Sequence, residues 1–247
     1  MSTGPEGQRY AVVTGAAGGI GSAIVREFLK RGLVVHGLDR APTAPGEGYF
    51  AHEVDLADRT ATDLALAKLI GALPGRCDVL VNSAGLSRLR SFVETPDRLL
   101  DDLLEVNFIA AFRLTRALLP LLKASSHAAI VNVASELALV GQPGYSAYCG
   151  TKGAVLAWSR ALAVELANVG IRVNAVCPGP IDTLMLRAEF ASLPSPQRAR
   201  EEEVASVPLG RLGKAEDIAA VVALLASPEA AFVTGAAWSV DGGKTAR

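Results

Sequence analysis

The chain has 247 residues, 50% of them hydrophobic and 20% charged, with a formal net charge of −1. That length and composition supply a sizeable core for one large α/β domain or two small ones. The near-zero charge excludes the basic field that nucleic acid or an anionic membrane surface calls for, so neither is expected as a partner.

Residues 1–8 read as a short polar tail, and residues 9–247 as a single domain. "YAVVTG" (10–15) reads as a buried strand, and 20–32 has apolar residues at helical spacing with a Gly stop. A second strand is expected at 33–39 and a third at 49–56, after a Pro/Gly-rich turn. A helix follows at 59–73, then a strand at 77–85 that runs into a turn. Residues 98–125 predict one long helix, with Asn107 mid-span and a kink at Pro120. A strand at 128–135 precedes a helix at 146–170, stopped by Gly170. A strand at 171–180 ends in prolines, 216–227 is helical, and 236–243 is a last short strand. The least regular segment, 184–210, has mixed charge and two close prolines, and reads as a helical flap over a site. Strand–helix alternation over the whole length argues a parallel sheet covered on both faces.

Cys77, Cys149 and Cys177 are widely spaced and contain no C-x-x-C, which argues against a disulfide framework or a zinc site, and no metal is expected. His36, His52 and His127 are isolated in the sequence. The start, "MSTGPEGQR", lacks an apolar segment and does not read as a signal peptide. The longest clean apolar run, 218–226, is far below spanning length, so a cytoplasmic protein is the expectation.

Two stretches carry chemistry. The first strand ends in "TGAAGGIG", with Gly15, Gly19 and Gly21 between a strand and a helix. Glycines there permit a tight turn and let a pyrophosphate approach the backbone and the helix N-terminus. Asp39 ends the second strand, 18 residues after Gly21. A carboxylate there can accept from ribose hydroxyls and repels a 2′-phosphate, which favours NAD over NADP. Arg40 beside it could instead meet that phosphate, and Asp39 as a simple strand-end cap is the plainer reading.

In "GYSAYCGTKGAV" (144–155), Tyr148 and Lys152 have the i, i+4 spacing that shares a helix face, whereas Tyr145 has Cys149 at that position. A phenol beside an ammonium can serve as a general acid/base. Free Tyr titrates near ~10, and bringing it ~3 units lower takes roughly 4 kcal/mol of differential interaction. A second positive charge, such as an oxidised nicotinamide, would add to that of the lysine. An aromatic and a snorkelling lysine on an ordinary helix is the bland alternative.

"TGAAGGIG", "NSAG" (82–85), Asn107, "NVAS" ending at Ser135, "YCGTK" (148–152), "CPGPIDT" (177–183), "PLGRLG" (208–213) and "VDGG" (240–243) occur in the order of the short-chain dehydrogenase/reductase family. The chain resembles that family from about residue 8 to 243, departing from its commoner N-N-A-G only at "NSAG". The resemblance implies a Rossmann-type, doubly wound parallel sheet of about seven strands in a three-layer αβα domain. It implies a catalytic set of Asn107, Ser135, Tyr148 and Lys152, with Ser135 thirteen residues before Tyr148. In that set Ser135 holds the substrate oxygen, Tyr148 moves its proton, Lys152 lowers the phenol's pKa and meets the nicotinamide ribose, and Asn107 holds a water as a proton route. The cofactor is expected at Gly15, Gly19, Ile20, Gly21 and Asp39. Asp55 and Leu56 would flank the adenine, and Asn82, Ala84 and Gly85 the adenosine-side ribose. Tyr148, Lys152, Pro178, Gly179, Ile181 and Thr183 would take the nicotinamide end.

The function expected is NAD-dependent interconversion of a secondary alcohol and a ketone. The alternative is an NADPH-dependent 3-oxoacyl carrier-protein reductase, with Arg88, Arg90 and Arg98 facing an acidic carrier. A serine hydrolase lacks its G-x-S-x-G elbow, and a non-catalytic nucleotide sensor would have lost the Tyr or the Lys. Substrate-pocket candidates are Glu136, Leu137, Leu139, Gln142, Tyr145, Leu184, Met185 and Leu186. Glu136 either bonds a substrate hydroxyl or points to solvent. The two long apolar helices are expected to pair between subunits in a homotetramer, with a dimer as the alternative.

Overall fold

A computed structural model describes residues 7–41, 44 and 46–246. Most of the expected tail and three residues of the turn before the third strand lie outside them. Among the described residues, seven strands and eight α-helices follow the expected order. They are β1 (Tyr10–Thr14), α1 (Gly19–Lys30), β2 (Val34–Asp39), β3 (Tyr49–Glu53), α2 (Arg59–Ala72), β4 (Val79–Asn82), α3 (Asp97–Leu104), α4 (Ala110–Lys123), β5 (Ala129–Val133), α5 (Ser146–Leu166), β6 (Arg172–Pro178), α6 (Leu184–Ala191), α7 (Pro196–Ser206), α8 (Ala215–Leu225) and β7 (Ala237–Val240).

The strands form one sheet in the order β3-β2-β1-β4-β5-β6-β7, every neighbouring pair parallel. Alternation along each strand feeds two cores. Ala11, Val13, Val79, Val81 and Val131 face one side with Ile24 and Phe28 of α1 and Ile218 and Val222 of α8. Val12, Leu80 and Ile130 face the other with Leu69 of α2 and Leu114, Leu118 and Leu122 of α4. Strands covered on both faces must be apolar in nearly every position, which is why β4 and β5 read as continuous apolar runs. The chain builds outward through β2 and β3, returns to β4, and builds the other way. The crevice at that reversal, beyond the carboxyl ends of β1 and β4, is where such sheets bind ligands.

Two local features differ from expectation. The long helix is interrupted by a π turn over Glu105–Ile109, which holds Asn107, before continuing past Pro120 to Lys123. His36 and His52 are not isolated. Their Nδ1 and Nε2 atoms lie 3.0 Å apart across β2 and β3, and burial draws His36 down to about 4. Among the described residues no three His, Cys, Asp or Glu side chains gather as a metal site, and no helix is long and apolar enough to cross a membrane.

A buried amide network braces the sheet below the crevice. Asn82 Nδ2 donates to Asn132 Oδ1 at 2.8 Å, and Asn132 Nδ2 donates to Ser159 Oγ of α5 at 2.8 Å. Asn132 is fully buried, so Asn132→Ala leaves neighbours unpaired at a cost of about 1–3 kcal/mol. We expect a Tm several degrees lower by calorimetry; an unchanged Tm would remove the network from the stability account.

Candidate active site

The carboxyl ends of the strands open onto a cleft of about 700 Å³. At one end lies the glycine-rich turn, where Gly15, Gly19, Ile20 and Gly21 all line the cleft. Gly15 has φ +68°, and a Cβ on it would lie 2.8 Å from Ala84 Cα. A Cβ on Gly21 would lie 2.0 Å from the Gly15 carbonyl oxygen. No side chain fits there, so bare backbone faces the cleft. Gly18 caps α1 without a side chain, which leaves the first N–H groups of the helix for an anion.

Asp39 lines the cleft at the end of β2. Its Oδ2 accepts from Ala17 N–H at 3.0 Å and its Oδ1 from Ala41 N–H at 3.1 Å. The carboxylate thus fastens the glycine turn to β2 and still has free lone pairs. Asp55 and Leu56 line the same end, with Asp55 Oδ1 accepting from Ala57 N–H at 3.0 Å. Ala84 and Gly85 line the cleft, and the turn they belong to is held by Thr14, whose Oγ1 accepts from Ser83 and Ala84 N–H, each at 3.0 Å. Asn82 is a correction. Its side chain turns from the sheet toward α4, donating to Asn132 and Thr115, and is not among the residues lining the cleft.

Pro178, Gly179, Ile181 and Thr183 line a further wall that adjoins the glycine turn, since a Cβ on Gly19 would lie 2.7 Å from Thr183 Cγ2. A Cβ on Gly179 would lie 2.7 Å from Asp241 Cα, so the wall is packed backbone to backbone. Thr183 caps α6, its Oγ1 accepting from Leu186 N–H at 3.4 Å.

The remaining residues gather where β5 ends and α5 begins. Ser135 follows β5 and its Oγ accepts from Leu137 N–H at 3.1 Å. Tyr148, half-buried in the first turn of α5, is hydrogen-bonded to Ser135. Lys152, one turn on, is 4% exposed. Its Nζ donates to Val133 O at 2.9 Å and lies 5.8 Å from the centre of the Tyr148 ring. Asn107 Oδ1 accepts from Leu86 N–H at 2.7 Å, while its Nδ2 donates to Leu86 O at 2.9 Å and Thr151 Oγ1 at 3.0 Å. A Cβ on Gly85 would lie 3.5 Å from Lys152 Nζ and 3.6 Å from Asn107 Oδ1, so all three close on one point.

Residues 15–245 match a family model described as enoyl-(acyl carrier protein) reductase. A 2-(R)-hydroxypropyl-CoM dehydrogenase of Xanthobacter autotrophicus is 38% identical over 252 residues, 96% of this chain and 99% of that protein. A 3-oxoacyl-[acyl-carrier-protein] reductase of Thermotoga maritima is 35% identical over 246 residues, 95% of this chain and 97% of that one. A solved short chain dehydrogenase family protein from Francisella tularensis superposes with a TM-score of 0.91 at 28% identity, covering 97% of this chain and all of its own. The chain belongs to the short-chain dehydrogenase/reductase family. Members are oxidoreductases that use nicotinamide cofactors, and the sheet is the family's Rossmann arrangement.

The electrostatics of this short-chain dehydrogenase site differ from expectation in one respect. Burial raises the Tyr148 phenol above its ordinary value; the Ser135 hydrogen bond opposes this, and nearby Glu189 adds to the rise. The neighbouring ammonium does not reverse that, because burial is the larger effect and Lys152 sits over the ring. Burial also draws Lys152 down, from 10.5 to about 8. Asn107 has both amide hydrogens committed, so only Oδ1 has capacity left for a water.

Glu136, Leu137, Gln142, Tyr145, Leu184, Met185 and Leu186 line the cleft, whereas Leu139 is 43% exposed and does not. Tyr145 stands edge-on to Tyr148, ring centres 6.3 Å apart, and its hydroxyl donates to Glu189 Oε2 at 3.1 Å. Glu136 does not point to solvent. It is 5% exposed and paired with Lys244 Nζ at 3.0 Å. Lys244 also pairs with Glu203 of α7. Lys244, Glu189 and Glu203 were not expected at the site. No spacing in the sequence links the C-terminal segment to the residue after Ser135.

The buried lysine makes a testable contribution. Unfolded Lys152 titrates near 10.5 and folded Lys152 near 8. Between those values the unfolded chain binds the extra proton, so stability rises with pH. We expect denaturation to show wild type gaining up to about 3 kcal/mol on Lys152→Met across that window. A constant difference would mean that Lys152 keeps an ordinary pKa.

Proposed function

We propose that the protein is an NAD-dependent dehydrogenase/reductase that interconverts a secondary alcohol and a ketone, with Tyr148 as general acid/base. The observation that carries this reading is the convergence of Ser135, Tyr148 and Lys152 on a cleft whose far end presents Asp39 behind a glycine cradle. The cradle fits a dinucleotide: Gly15, Gly19 and Gly21 leave no room for side chains, and the open N-terminus of α1 suits a pyrophosphate. Tyr148, Lys152, Pro178, Gly179, Ile181 and Thr183 would hold the nicotinamide half, and Asp39, Asp55, Leu56, Ala84 and Gly85 the adenosine half. The nicotinamide cofactor supplies the hydride acceptor or donor and, when oxidised, a positive charge.

Ser135 holds the substrate oxygen. In oxidation Tyr148 Oη takes the hydroxyl proton, and in reduction it returns that proton to the carbonyl oxygen. Lys152, held by Val133 O, keeps a positive charge near the phenol at neutral pH. Asn107 Oδ1 can anchor a water beside it.

A carboxylate at the end of β2 supports NAD, because a 2′-phosphate beside Asp39 would be repelled. The second reading, an NADPH-dependent 3-oxoacyl carrier-protein reductase, draws on Arg40 at the same end of the cleft and on the relative that bears that name. Residues 9–247 would act as one catalytic domain, α6 and α7 forming its flap. Phe112 of α4 and Val164 of α5, 41% and 80% exposed, support pairing of those helices in a homotetramer, which sedimentation equilibrium reads directly. A cytoplasmic location fits this reading.

Tyr148→Phe keeps the ring and removes the proton carrier. We expect kcat to fall at least ~100-fold, the lower end for general acid–base catalysis, with NAD affinity nearly unchanged by calorimetry. A wild-type rate would mean that another group moves the proton. For Asp39→Ala we expect kcat/KM to shift toward NADP, and an unchanged cofactor ratio would remove Asp39 from the discrimination.

A further inference from the structure

Glu136 is the residue after Ser135 and opens the short 3-10 turn Glu136–Ala138 that Ser135 caps. It lines the cleft, yet it is 5% exposed. One carboxylate oxygen, Oε1, meets Lys244 Nζ at 3.0 Å. The other, Oε2, is buried with no hydrogen-bond partner among the described residues. A buried acceptor left unpaired is destabilising, and more so when charged. Such an oxygen on the wall of a substrate cleft marks a place where a donor belongs.

The surroundings decide which donor. Glu189 and Glu203 also line this end, so an anionic group would be repelled. Lys244 stands against Glu136 and Glu203, so a cationic ligand would meet an ammonium already in place. A neutral donor avoids both conflicts, and a hydroxyl is the neutral donor that a carboxylate binds without a change of charge. Glu136 follows Ser135 directly, about 3.8 Å on along the backbone, and both residues line the cleft in which the reacting oxygen would be held.

We propose that Glu136 is a specificity-determining residue whose Oε2 accepts a hydrogen bond from a second hydroxyl of the substrate, making the natural substrate a small polyhydroxy alcohol or its ketone. The inference rests on the proposed function for the place of the reacting oxygen. Lys244 and Glu203 are the positioning partners. Lys244 holds Glu136 in its rotamer, and Glu203 ties the flap helix α7 to that lysine. Burial works against the charge on Glu136, moving its carboxyl upward despite Lys244, so a bound hydroxyl would have a strong acceptor to stabilise.

The test compares chain-matched pairs, ribitol with pentan-2-ol and erythritol with butan-2-ol, with NAD and the full-length enzyme. We expect kcat/KM to favour the polyol by ~100-fold or more, because a site built around a substrate hydroxyl rejects the analogue lacking it. In Glu136→Gln the ratio should fall at least ~10-fold, chiefly through a higher KM for the polyol. Calorimetric binding of ribitol to the enzyme–NADH complex, lost in the variant, reads the same contact without turnover. Should Glu136→Gln fail to fold, the wild-type ratio and ribitol binding decide alone. Turnover of pentan-2-ol equal to that of ribitol, or an unchanged ratio in the variant, would overturn the proposal and leave the dehydrogenase reading standing, whereas preferred reduction of a 3-oxoacyl thioester with NADPH would overturn both. No NAD-linked turnover of any alcohol would defeat that reading, and ribitol binding would still decide this one.

Discussion

A lysine ammonium carried into the interior is the constraint around which the site is arranged. Desolvation penalises its charge, so the fold must bring it partners or let it neutralise. The structure does part of each. Val133 O at the end of β5 accepts from Nζ, and the pKa still falls to about 8. That contact, together with the Asn132–Ser159 hydrogen bond, ties α5 to β5, and the register of α5 sets Tyr148 one turn away, bonded to Ser135 at the same strand end. The π turn that displaces Asn107 from regular helix, and the bare backbone of Gly85, complete the enclosure. A phenol pushed upward stays protonated at neutral pH, offers little phenolate to act as a base, and gives up its proton less readily than a free tyrosine. A positive charge from the bound cofactor is therefore part of what oxidation by this chain would require.

The nucleotide end depends on a different economy of space. Gly15, Gly19 and Gly21 are needed because backbone or Thr183 already occupies where their side chains would go. Asp39 has two tasks there. It bonds the Ala17 and Ala41 amides, which stiffens the glycine turn, and it keeps the lone pairs that the proposed ribose contact would use. Removing it therefore alters the cradle as well as the charge.

Much of this was legible in the sequence, for physical reasons that can be named. Strands buried on both faces must be apolar throughout, so β1, β4 and β5 stood out. Helical spacing paired Tyr148 with Lys152, and glycines between a strand and a helix announced a close approach. What failed was long-range or subtle. Asn82 belongs to a network with Asn132 and Ser159, because its side chain turns into the helix layer where polar groups must find each other. The π turn leaves no trace in apolar periodicity. Lys244 reaches Glu136 from more than a hundred positions away, and no local pattern encodes such an ion pair. The sign of the Tyr148 shift also escaped, since burial is a property of the folded chain alone.

The central claim is that this cleft moves a hydride between a carbinol carbon and a nicotinamide while Tyr148 handles the proton. The most direct measurement uses a secondary alcohol deuterated at its carbinol carbon, with NAD, and mass spectrometry of the reduced cofactor. The account predicts that the deuterium is found in the cofactor and none in the solvent. Deuterium released to water, or retained by an unchanged alcohol across substrates with either cofactor, would contradict it.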